Sequence, residues 1–187
     1  MYLRKYFLAS MLFLGILNAQ SEVGIGINNE TLEMKGSIDL NAFAYYSDIT
    51  SYNLDFSYLD DNMEHLTSLG ISGENSLQGA QGVKLALGGK MVFADKFMAF
   101  PLFGKLTFNL PLNQALPMIT MATSLAYAPP VLTFRDGLSY SEFRVEGNME
   151  VIPNIHLFSG YRSIDTDYQE YNKIFNEALY GGMKLIF

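Results

Sequence analysis

The stretch "SEFRVEGNMEV", Ser141 to Val151, decides the fold class. Phe143, Val145, Met149 and Val151 fall on one face of an extended chain, and Glu142, Arg144, Glu146, Asn148 and Glu150 fall on the other. A two-residue period belongs to a strand, whose successive side chains point to opposite sides. The run "GVKLALGGKMVF", Gly82 to Phe93, repeats the pattern, with Val83, Leu85, Leu87, Met91 and Phe93 opposite Lys84 and Lys90.

Further alternating runs lie at Val23–Asn28, Leu32–Asn41, Tyr52–Leu59, Leu66–Gly73, Leu102–Leu110, Met118–Tyr127, Ile155–Ile164 and Leu179–Phe187. No helical period competes with them, and no linker or shift in composition divides them. The expectation is one all-β domain, an antiparallel transmembrane β-barrel of eight to ten strands. Length favours eight and the run count favours ten.

Alternation has two inverse solutions, because the apolar face points inward in a soluble barrel and outward where lipid is the solvent. Three features favour lipid. The first is an export signal over residues 1–19. Arg4 and Lys5 are followed by the apolar "FLASMLFLGIL", Phe7 to Leu17, and cleavage is expected after Ala19. That run is short of the ~20 residues a membrane-spanning helix needs. The second is connection length. The long "APPVLTFRDGLS", Ala128 to Ser139, and "DTDYQEYNKIFNEA", Asp165 to Ala178, flank the tight "IPN", Ile152 to Asn154. Long loops on one side and short turns on the other are what outer-membrane barrels have. The third is abundant Tyr and Phe, often closing a run as Phe93, Tyr127 and Tyr161 do, where interfacial belts sit.

The barrel domain is accordingly expected over residues 20–187, in the outer membrane of a Gram-negative envelope. Its last strand should pair with its first, since a barrel has no free edge. Leu179, Met183, Leu185 and Phe187 are all apolar at alternate spacing. Tyr180, Gly182, Leu185 and Phe187 also match the pattern of an outer-membrane assembly signal. The expected partners are therefore outer-membrane lipid and the barrel-assembly machinery.

The chain has no cysteine and a net charge of −7, about −9 without Arg4 and Lys5. Disulfides, a lipid-modified cysteine and thiolate metal sites are excluded. Nucleic acid is not an expected partner for so acidic a chain. Inward faces should carry Lys35, Lys84, Lys90, Lys105, Arg144, Arg162 and Lys184 against Glu33, Asp39, Asp55, Glu142, Glu146 and Glu150. Such balance in a narrow interior favours a paired network that plugs the lumen, because an unpaired buried charge costs several kcal/mol.

Catalytic signals are weak. His65, in the expected loop "DDNMEH", and His156, beyond a tight turn, should sit at opposite barrel ends, too far apart for one metal site or catalytic pair. "GIG" at Gly24 to Gly26 lacks the third glycine and helix of a phosphate loop. No cofactor is expected. Two acidic clusters, Asp60, Asp61 and Glu64 in one expected loop and Asp165, Asp167 and Glu170 in another, carry oxygen ligands without calcium-loop spacing.

From Ser124 to Ile164 the chain resembles the YfaZ family of outer-membrane proteins. The resemblance lies in "YAP" after a strand, "SYSEF" opening the next, a short turn, and "GYR" before a long loop. "GGK" at Gly88 to Lys90 and the last aromatic strand add to it. It implies outer-membrane location and a barrel fold, and no reaction or ligand. The leading expectation is a non-enzymatic structural or surface-interaction barrel. A narrow channel for ions or small solutes is the alternative, ahead of an outer-membrane enzyme or a soluble periplasmic ligand-binding barrel.

Overall fold

The computed structural model describes residues 21–42, 49–62, 64–110, 117–168 and 172–187. The expected signal segment, residues 1–19, lies outside them. The strands are β1 (Glu22–Ile27), β2 (Thr31–Asp39), β3 (Ser51–Asp61), β4 (Glu64–Ser76), β5 (Val83–Ala94), β6 (Phe97–Ala99), β7 (Leu102–Asn109), β8 (Ile119–Ala128), β9 (Thr133–Arg135), β10 (Gly137–Ile152), β11 (Ile155–Tyr168) and β12 (Asn172–Ile186).

Ten of these close an antiparallel ring, in the order β1, β2, β3, β4, β5, β7, β8, β10, β11, β12 and back to β1. The seam between β12 and β1 runs from Glu22 opposite Ile186 to Ile27 opposite Gly181. Beyond it, Ser21 and Phe187 exchange both backbone hydrogen bonds at 2.9 Å. Every alternating run of the sequence is a ring strand. The length-based expectation of eight strands was too low, and the ring encloses a wider lumen than side chains of eight strands would fill.

The terminal end is the one where Glu22 meets Ile186, and the opposite one is the distal end. The expected division into short turns and long loops does not hold, since both ends carry both. Tight distal turns pass through Asn62 (φ 48°) and Lys96 (φ 53°), and a tight terminal turn through Asn154 (φ 71°). Asn suits these left-handed positions because its short amide bonds locally. The segment Asp165 to Ala178 is no long loop. β11 runs to Tyr168 and β12 begins at Asn172, with a register shift at Ile164/Asp165. His65 likewise lies within β4 rather than in a loop.

The alternating faces resolve as apolar outside and polar inside. Leu102 (68% exposed), Leu125 (63%) and Leu179 (75%) stand on the outer wall. Ile25, Met34, Phe56, Ile71, Leu87, Met121, Phe143 and Leu157 are exposed around the same circumference. On β10 the strand that opened the sequence analysis turns Glu142, Glu146 and Asn148 into buried positions while Phe143 and Met149 are exposed. A soluble barrel needs the reverse.

Glycine makes room where inner rings lie against the wall. A Cβ on Gly182 would stand 2.0 Å from the Ile25 carbonyl oxygen and 2.6 Å from Phe158 Cζ. One on Gly160 would stand 2.4 Å from the Val145 oxygen and 3.0 Å from Tyr180. The Phe158 and Tyr180 rings therefore occupy a hollow that only glycine leaves open.

Candidate functional site: the barrel lumen

An apolar cluster caps the distal end of the lumen. Short β6 pairs with both β5 and β9, folding a small flap over the ring. From it Phe97 enters the interior, fully buried, with its ring 5.5 Å from that of Tyr168 and 6.2 Å from that of Tyr140. Leu59, Leu66, Val92, Ala99, Ala128, Ile164 and Phe175 complete this cap. Alternation gives no hint of it, because β6 has only three residues and its neighbours form a tight turn.

Below the cap lies a belt of charge. Glu33 on β2 accepts from Arg144 Nη1 at 2.7 and 3.0 Å and from Arg162 Nη1 at 2.8 Å. Arg162 is fully buried, and its other nitrogens donate to Asn176 Oδ1 at 2.7 Å and Thr31 Oγ1 at 3.2 Å. Arg144 also pairs with Glu142 at 3.2 Å. Glu142 accepts in addition from the Tyr140 hydroxyl at 2.6 Å and from Lys90. Glu146 takes Lys35 and the Tyr180 hydroxyl, the latter at 3.0 Å. The Lys35 ammonium rests 3.9 Å above the Phe158 ring. A buried charge is tolerated only when paired and hydrogen-bonded, and each member of this belt is both.

Toward the terminal end the lumen widens into a cavity of about 310 Å³. Glu22, Asp39, Asp55, Glu74, Lys105 and Lys184 line it together with the belt residues Glu33, Lys35, Lys90, Glu142, Arg144 and Glu146. Lys184 pairs with Glu22 at 3.1 Å and Lys84 with Glu74 at 3.0 Å. Asp55 accepts from the Ser72 hydroxyl at 3.1 Å, and Asp39 from the Asn41 backbone at 2.9 Å.

One residue expected in the lumen network sits elsewhere. Glu150 is at the terminal turn, accepting from the Asn154 backbone at 3.3 Å, because the strand ends two residues later. Lys84 is partly exposed at the terminal rim of the inner wall, where it pairs with Glu74 at 3.0 Å and stands opposite Thr107. Glu22 and Glu74 were not expected, although each lies just outside an alternating run. With them, the inner wall carries equal numbers of basic and acidic residues.

Tyr180 joins the belt from β12. It is buried, 4% exposed, facing the lumen against Arg144 and Arg162 at 5.7 and 5.0 Å. Of the other residues of the expected assembly signal, Gly182 backs the Phe158 ring and Leu185 is exposed on the outer wall.

The remaining candidates disperse. His65 bonds the Tyr58 hydroxyl at 2.9 Å at the distal end, while His156 stands opposite Lys184 at the terminal end. Asp60 lies 3.3 Å from His65, Asp61 accepts from Asn176 at 2.8 Å, and Glu64 pairs with Lys173. Asp165 and Asp167 are strand residues that accept from Ser141 at 3.4 Å and Ser139 at 2.6 Å. Glu170 lies outside the described residues. Among the described residues, no three His, Asp or Glu gather as a metal site.

No known protein family matches the chain, and no curated protein matches it. Solved structures do. A membrane protein from work on the mechanism of in-meso crystallization is 12% identical, with a TM-score of 0.46, covering 90% of this chain and 83% of that one. A bacterial polysaccharide outer-membrane secretin is 7% identical, with a TM-score of 0.42 and coverage of 89% and 69%. The NanC porin is 7% identical, with a TM-score of 0.40 and coverage of 90% and 99%.

Proposed function

We propose that the protein is a small outer-membrane barrel with a closed lumen, serving a structural or surface-interaction role rather than conduction or catalysis. One observation carries this most directly. Large apolar side chains ring the exposed outer wall while Glu33 and Arg162 are buried inside. In water that arrangement exposes a continuous apolar band, whereas in a bilayer it is the stable one. The charged belt of the lumen is committed to its own pairs, and the Phe97 cap lies across the distal end. Lipid is the natural partner of the outer surface, and the assembly machinery and the YfaZ likeness belong to the same proposal.

Membrane fractionation tests location. The protein should stay with outer membranes and run faster unheated than boiled on a gel. Recovery from the soluble fraction overturns the proposal. The channel alternative is favoured by the polar cavity that enters from the terminal end. In planar bilayers the unmodified protein should give no reproducible single-channel steps; steady, ion-selective conductance would put the channel first.

A further inference from the structure

The flap that carries Phe97 into the lumen has a second face. Phe93 on β5, Met98 on β6 and Phe134 on β9 stand opposite one another in register, so they share its outer side. The Phe100 ring meets that of Phe134 edge-on at 5.5 Å. Phe134 is 46% exposed, and Val131, in the short turn leading into β9, is 78% exposed. Phe93 also continues the outward column of β5 from Leu87 and Met91, so the patch prolongs the outer wall toward the distal end. At that end the outward positions of β10 and β11 hold Ser141, Ser163, Asp165 and Asp167 instead. Among these strands the apolar extension belongs to the flap.

Its tip holds cations. Lys96, in the turn before β6, and Arg135, opposite Phe97 on β9, are the only exposed Lys or Arg residues outside an ion pair among the described residues. Asp95 and Asp136 adjoin them in sequence, yet neither pairs with them. The Asp136 N–H donates to the Lys96 carbonyl at 3.1 Å, which joins the two turns. An acidic chain of net charge −7 has thus set its two free outer cations on one small element. Like charges so placed repel, and an anion between them relieves the repulsion.

Apolar side chains beside exposed Lys and Arg suit a membrane interface, where the first enter the acyl region and the second reach the headgroups. We infer that the outer face of the flap docks on the membrane, with Lys96 and Arg135 holding the phosphate of an anionic lipid headgroup. Phe93, Met98, Phe100 and Phe134 meet the acyl chains below it. The inference rests on the outer-membrane reading above and adds a lipid class and a place on the barrel.

The chain contains no Trp, so a single introduced Trp reports on its own surroundings. Phe134→Trp and Val131→Trp are the flap reporters, and Leu125→Trp is the reference on the outer wall. Each is reconstituted into phosphatidylcholine vesicles, and unboiled gel mobility verifies folding. Lipids brominated on the acyl chain should quench both flap reporters, and aqueous acrylamide should quench them little. With brominated phosphatidylglycerol as the minor lipid, the flap reporters should show about fivefold enrichment over random mixing, the effect of one surface cation on an anionic lipid. Adding Lys96→Gln and Arg135→Gln should return that enrichment to random mixing. Flap reporters open to acrylamide and untouched by brominated lipid, beside a quenched Leu125→Trp, overturn the inference, leave membrane location standing and free the flap for a protein partner. Enrichment that survives loss of both cations overturns it as well. An unquenched Leu125→Trp instead overturns the membrane reading itself.

Discussion

Arg162 on β11 and Glu33 on β2 meet at 2.8 Å inside the barrel, although β12 and β1 separate their strands in the ring. The contact spans the closure seam from within. Because Arg144 holds the same carboxylate from β10, Glu33 ties β2 to the adjacent pair β10 and β11 across the seam.

Arg162→Met should therefore destabilise the barrel by about 3–5 kcal/mol, the usual cost of breaking a fully buried pair. Glu33→Gln added to it should cost less than the sum of the two single losses, since both substitutions break the same pair. Equilibrium urea unfolding in micelles or vesicles measures both. Equal additive losses would show that the pair is not coupled.

Phe97→Ala removes the centre of the distal cap, where the ring contacts Tyr140 and Tyr168. A loss of about 3–5 kcal/mol is expected for a large aromatic deleted from a packed core. The belt below remains intact, so conductance in planar bilayers should stay absent. Channel steps appearing in this variant would show the cap to be the principal barrier.

At the seam, Gly182→Val should prevent β12 from pairing with β1, because even a Cβ would strike the Ile25 carbonyl at 2.0 Å. Heat-modifiable mobility reads the result directly, and the variant should run as unfolded. Gly181→Ala makes the contrast, since its Cβ would meet nothing nearer than 3.5 Å. Normal folding of Gly182→Val would mean that the seam can shift.

The outer wall separates membrane from water. Leu125→Arg places a charge at a site 63% exposed. In lipid it should cost about 2–4 kcal/mol near mid-depth. For a protein in water such a surface change is within about 0.5 kcal/mol. Unfolding measured in vesicles distinguishes these outcomes.

The ring strands were legible because lipid-facing and lumen-facing positions alternate strictly within the apolar band. Outside that band the rule lapses. Asp165, Asp167 and Glu177 are polar on the outward side, so the end of β11 and the start of β12 read as a loop. Phe97 was invisible for the opposite reason, as a single apolar residue in a flap too short to show a period. Most lumen charges were readable from parity alone. Their partners were not, since Glu33 and Arg162 find each other through strand order, which alternation does not encode. Tyr180 was read for its place in a terminal pattern, when its parity beside Lys184 already assigned it to the interior.

The seam also sets an order of events. Most other ring contacts join strands near in sequence and can zip as hairpins, but Glu22 cannot find Ile186 until both ends of the sheet exist. In free energy this delay is mild, because closure entropy grows only logarithmically, by about 0.6 kcal/mol per doubling of length. In time it is not mild, because contacts distant in sequence slow folding. Until it closes, the nascent sheet has two bare edges, β1 and β12, and any other strand that meets them can pair there. The slowest contact to form is thus the one whose absence leaves the chain open to its neighbours.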